Sequence, residues 1–118
     1  MTIRYWLLCG VMCLLLWSCT GDMPKNVMPI DTMKFVMYDV LSAQEMAQLI
    51  VDAKDTTATK NKTFELYQQV FAIHKITRED FDRSFKFYEA HPDKIKILFD
   101  SVTAYGNRKK NEIYMKRR

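Results

Sequence analysis

The sequence predicts an all-α fold, a small bundle of about four helices. Three observations predict it. The chain has 118 residues, of which 48% are hydrophobic, enough for one core and too few for two. Apolar positions recur at the 3.6-residue helical period in each patterned segment, and no stretch alternates as a strand does. Only three Gly and three Pro interrupt the chain, which argues against a turn-rich β-sandwich and against low-complexity disorder.

The front of the chain is a separate object. A single Arg4 precedes the uncharged run from Tyr5 to Trp17, and the small polar residues Ser18, Cys19, Thr20 and Gly21 follow. This is the order of an export signal, and the run is shorter than the roughly 20 residues that a membrane-spanning helix needs. The segment Leu16-Trp17-Ser18-Cys19 resembles a bacterial lipobox, with Trp17 where that motif carries a small residue. The resemblance implies that residues 1–18 are a lipoprotein signal peptide and that Cys19 carries lipid, so that the membrane is a partner through Cys19. Cys9 and Cys13 fall in the removed segment, and the mature domain keeps neither a free thiol nor a disulfide. Thr20 stands where an Asp resembles an inner-membrane retention signal, which favours the outer membrane of the cell envelope.

Residues 19–30 read as a tether, because Thr20 to Pro29 holds two of the three Pro and no clear period. The helical domain then spans residues 31–107. Asp31 stands as an N-cap before Met33, Val36, Met37, Val40 and Leu41, a first helix of about 18 residues by its spacing. Asp52 to Lys62 has only Ala as apolar content and reads as a loop. A second helix starts near Thr63, with Phe64, Tyr67, Val70, Phe71 and His74 on one face. Thr77 caps a third, with Glu79 and Asp80 in its first turn and a stripe of Phe81, Ser84, Phe85 and Tyr88. His91-Pro92 separates it from a fourth, since Pro suits a first helical position and disfavours a helical residue before it. That fourth helix carries Ile95, Leu98, Phe99, Val102 and Tyr105, and short connection to the third predicts that the two stripes pack together. Gly106 weakens it.

Residues 108–118 form a basic tail of six basic residues and one acid, while residues 19–107 hold 11 basic and 13 acidic groups. The positive charge is therefore local. Export excludes nucleic acid as its partner and leaves a solvated terminus, or contact with anionic lipid helped by Ile113, Tyr114 and Met115.

The residues Asp39, Tyr67, Phe71, His74, Ile76, Thr77, Phe81, Ser84, Tyr88, His91 and Pro92, in this spacing, resemble a family of small Bacteroidetes lipoproteins grouped as a domain of unknown function, DUF4296. The resemblance covers about residues 30–103 and implies a helical envelope lipoprotein. It supplies no catalytic residue.

Candidate chemistry is sparse. His74, His91, Glu79, Asp80 and Asp82 offer no pair of metal ligands on one helical face, so neither a metal nor another cofactor is expected. Ser84 lacks the Gly-rich elbow of an activated nucleophile and reads as a small residue that lets helices approach and bonds its hydroxyl to a backbone carbonyl. Phe87 lies about 240° round the third helix from Phe81 by the 3.6-residue period and is expected to be exposed, which makes Phe87, Lys86 and His91 the candidate interaction surface. Two functions follow. The first is a non-catalytic binding or scaffolding module for other envelope components, and not an enzyme; the alternative is a hydrolase or metal-binding protein built on Ser84, His74 and His91. An open pocket that brings those three within hydrogen-bond reach would favour the second.

Overall fold

The computed structural model describes residue 3 and residues 23–51 and 54–118; the run at 5–17 and Cys19 lie outside the described residues. Among the described residues there are four helices and no strand: α1 (Ile30–Ile50), α2 (Thr56–His74), α3 (Arg78–Glu89) and α4 (Pro92–Lys116). The protein is the small all-α bundle that the periodicity predicts.

Helix α1 is central because it is apolar on two sides. Val36, Val40 and Ala43 form one buried cluster with Val70 and Phe71 of α2. Met33 and Met37 form another with Tyr88, Leu98 and Val102, from α3 and α4, and with Val27. An amphipathic stripe facing one neighbour leaves the opposite side polar; two neighbours require the wider apolar surface seen here. Helices α1 and α2 run antiparallel, with Asp39 beside His74 and Gln44 beside Tyr67. Helices α1 and α4 run parallel, since Met33 shares a cluster with Leu98 while Tyr38 meets Tyr105 and Gly106 further along.

Several boundaries differ from the sequence reading, each for a physical reason. Helix α1 begins two residues early behind Pro29, and Asp31 sits in its first turn rather than capping it, ion-paired to Lys34 at 3.1 Å. Helix α2 begins at Thr56, so residues 56–62 are helical and not loop. Asp55 caps this start, accepting from the Ala58 amide at 2.9 Å, and the Thr59 and Thr63 hydroxyls donate to carbonyls one turn back. Apolar spacing cannot register a turn built from polar side chains.

At its other end α2 stops through Lys75, which adopts the left-handed conformation with φ of 55°. The Ile76 amide then reaches back to the Phe71 carbonyl at 3.0 Å, and Ile76 packs against the α1–α2 cluster. Helix α3 opens with the predicted cap, completed as a reciprocal pair: the Asp80 amide donates to Thr77 Oγ1 and the Thr77 amide to Asp80 Oδ2.

Helix α4 does not end at Gly106. It continues through the basic segment to Lys116, and the glycine marks a close approach instead, where a Cβ would lie 3.0 Å from the Tyr38 ring. Phe99, expected in the core, is 42% exposed. The buried positions of α4 are Leu98 and Val102, with Ile95 partly buried beside them, and Phe99 falls on the flank of that line.

The described part of the expected tether, from residue 23 on, packs on the bundle. Residues 23–28 form a strap against α3, with Val27 buried and Met23 and Met28 packed on the same cluster as Tyr88. Met23, Val27 and Met28 follow no helical period, so pattern analysis passes over them, yet together they cover the apolar side of α3.

Candidate functional site

The strap is held by the most thoroughly buried polar groups in the bundle. Ser84 and Tyr88, one turn apart on α3, are both fully buried. The Met28 amide donates to Ser84 Oγ at 3.0 Å, and the Tyr88 hydroxyl donates to the Met28 carbonyl at 2.7 Å. Arg83 adds a bond from Nε to the Asn26 carbonyl at 3.0 Å. The strap turns at residues 24–27, where the Val27 amide donates to the Pro24 carbonyl at 3.1 Å, and α3 supplies partners for the Asn26 and Met28 backbone from its side chains. Burial pushes the Tyr88 hydroxyl above the ordinary tyrosine pKa, which keeps it a donor. Ser84 thus accepts from a backbone amide, where the sequence reading has its hydroxyl donating to a carbonyl.

The three residues of the catalytic alternative are bonded separately. His74 Nε2 lies 2.7 Å from Asp39 Oδ2, tying the end of α2 to α1. His91 donates from Nδ1 to the Phe87 carbonyl at 2.6 Å, closing the turn between α3 and α4. Ser84 holds the strap. No hydrogen bond joins any two of them among the described residues, and no group of three His, Cys, Asp or Glu suited to a metal is found there.

Of the candidate surface at the end of α3, Lys86 is exposed and His91 half-buried. Phe87 is not exposed as its helical angle predicts. It is half-buried, packed on the cluster that contains Val27, with its ring edge to Tyr88 and tilted over His91 at 4.2 Å. The prediction assumes one partner for α3; strap and turn provide a second.

A different surface has the shape of a site. Where α1 and α2 run side by side, Gln44 and Gln48 of α1 and Thr59, Lys60, Thr63, Phe64 and Tyr67 of α2 line a cleft of about 390 Å³, with Arg78 of α3 also in its lining. Phe64 is half exposed, and the Arg78 guanidinium lies 5.7 Å from its ring centroid. Tyr67 reaches Gln44 Oε1 at 3.5 Å; burial raises its hydroxyl pKa, and the nearby Arg78 charge lowers it by less. A second hollow shares Phe64 and Arg78 and runs on past Thr77 and Glu79. The cleft therefore presents an aromatic face, amides and hydroxyls, and two cations, with no acidic residue in its lining. That set can stack on a flat or apolar group and bond polar or anionic ones; it holds no nucleophile paired with a base.

Sequence reasoning assigns Phe64 and Tyr67 to the core stripe and so misses the cleft. The available signal is polar: Gln44 and Gln48 on one helix, and Thr59 and Thr63 on the next, each one turn apart.

Four helices with a docked strap and an open polar cleft define a small all-α domain, and among the described residues no helix is long and apolar enough to cross a bilayer. The chain belongs to the family described as a domain of unknown function, DUF4296, whose model matches residues 24–112. No curated protein and no solved structure matches it.

Proposed function

We propose that the protein is a lipid-anchored envelope module without catalytic activity, held by lipid on Cys19 at the outer membrane and binding or scaffolding other envelope components. The observation that carries the binding role is the cleft between α1, α2 and α3, whose aromatic, amide and cationic lining suits recognition of a polar partner rather than turnover of a substrate. The docked strap supports the anchoring role. Met23 follows Cys19 by four positions, a reach of at most about 14 Å, so lipid on Cys19 would keep the bundle close to the bilayer.

In-cell photo-crosslinking tests the binding role. A crosslinker in place of Phe64 is expected to capture an envelope component, and one in place of the exposed Phe99 on α4 is not; equal capture from both positions would sink the proposal. Mass spectrometry of the membrane-extracted protein, with palmitate-analogue labelling of wild type and Cys19→Ala, tests the anchor. An unmodified Cys19 would end that part.

A further inference from the structure

The bundle has a second end. Helices α1 and α4 run parallel, and from their contact at Tyr38 and Gly106 each continues for about 15–18 Å, so Ile50 and Lys116 lie at the same end of the molecule. The apolar surface there is uncovered. Met46 and Ile50 are half exposed and Leu49 is 86% exposed on α1; Ile113 and Tyr114 are half exposed and Met115 is 77% exposed on α4. Residues 111–118 are exposed throughout. Lys110 precedes the apolar triplet of α4 and Lys116, Arg117 and Arg118 follow it, with Glu112 the one acid of the tail.

An overhanging turn of helix gains nothing from tertiary packing, and helices draw most of their stability from packing. Basic residues on both sides of exposed Ile, Tyr and Met make a surface whose apolar groups enter a headgroup layer while its cations meet phosphates. We infer that this end of the bundle, the last turns of α4 with the end of α1 beside them, docks on an anionic phospholipid surface. The inference deepens the anchoring proposal and rests on it for the protein's presence at a membrane. The strap joins α1 at its start, about 30 Å along the helix from Ile50. Anchor and basic end thus form two points of attachment that lay α1 and α4 along the bilayer, leaving the bundle no freedom to stand away on its anchor.

Hydrogen–deuterium exchange of the full chain, reconstituted in phosphatidylcholine vesicles with or without phosphatidylglycerol, tests this. Amides of residues 108–118 are expected to exchange about tenfold more slowly on the anionic vesicles, and to lose that protection in high salt. Lys110→Glu combined with Lys116→Glu should abolish it while exchange in residues 33–47 stays unchanged, which separates lost docking from lost folding. Equal exchange on both vesicles would overturn the inference. So would protection that survives the charge reversal, or that rises with protein concentration in detergent, the mark of a second copy. The mass of Cys19 in the same samples reports the lipid independently, so a failed anchor and a failed docking surface are told apart.

Discussion

The two ends of the bundle are built on opposite principles. At the strap end, Val27, Met33, Tyr88 and Leu98 are buried together and Ser84 and Tyr88 satisfy the strap backbone. Among the described residues no buried side-chain nitrogen or oxygen lacks a partner. At the other end the same two helices carry large apolar side chains into solvent. Stability and availability for contact have been separated along one pair of helices: one end is committed to holding the fold, and the other has surface to give without losing it.

The sharpest test of that division is a matched pair of truncations. Tyr88→Ala empties a fully buried site and removes the donor to Met28, and is expected to cost about 4 kcal/mol in chemical denaturation. Ile113→Ala and Met115→Ala should each stay within about 0.5 kcal/mol in solution. Phe99→Ala, on the flank of α4, should cost about 1 kcal/mol, well below a core phenylalanine. A large loss from the α4 terminus would show that it is packed, and the division would fall.

Ser84→Ala is the next test. It leaves the Met28 amide without its acceptor beneath a covered strap, at an expected cost of about 1–2 kcal/mol. Hydrogen exchange should show the loss locally, with the amides of residues 26–28 opening first. Exchange unchanged in the strap would mean that the Tyr88 and Arg83 bonds and the apolar packing of Val27 hold it without Ser84.

What sequence could show follows from what each contact is made of. The core of α1 and the stripe of α3 were legible because their partners are helices, and helix packing writes itself as 3.6-residue spacing. The cap of α3 was legible because Thr77 and Asp80 sit three apart. The strap was not, because an irregular segment packs by single residues and bonds through its backbone. The end of α4 is harder to read for the reverse reason: the sequence offers Gly106 only as a weakness of the helix, whereas in the fold it marks a close approach, where a Cβ would lie 3.0 Å from the Tyr38 ring of a neighbouring helix. The residues of the family resemblance are largely the joints of this fold. Asp39 and His74 link α1 to α2, Phe71 and Phe81 pack with tilted rings between α2 and α3, Ser84 and Tyr88 hold the strap, and His91 closes a turn. That explains why the pattern indicates the architecture and says little about the cleft, where only Tyr67 is shared.

The turn between α2 and α3 joins the two clusters and sharpens the comparison from the middle. Lys75 holds a left-handed conformation that costs a side-chain-bearing residue about 1 kcal/mol. Lys75→Gly is expected to stabilise the protein by about that amount, offset in part by greater freedom in the unfolded chain, and to raise the denaturation midpoint. A loss of stability would mean that the lysine stem contributes packing that outweighs the strain.

The smallest effect is a pH dependence at the same turn. Asp80 is held below its ordinary carboxylate pKa of 3.8, chiefly by the hydrogen bond from the Thr77 amide, then by the Thr77 hydroxyl, with Arg83 adding to it. A group whose pKa is depressed on folding binds fewer protons in the folded state, so its contribution is present above the unfolded value and is lost as pH falls through the folded one. The start of α3 should therefore weaken only below about pH 4, where the carboxylate protonates and the cap opens. Asp80→Asn keeps an acceptor but does not titrate, and should flatten this part of the acid limb while leaving neutral-pH stability nearly unchanged, because the group is exposed and solvent screens it. The check is the difference between wild-type and variant stability from pH 6 down to pH 2, read with exchange at the amides of residues 77–80. If the two curves remain parallel throughout, the acid sensitivity belongs to another carboxylate, and the α2–α3 turn is held by Ile76 and Phe81 rather than by its cap.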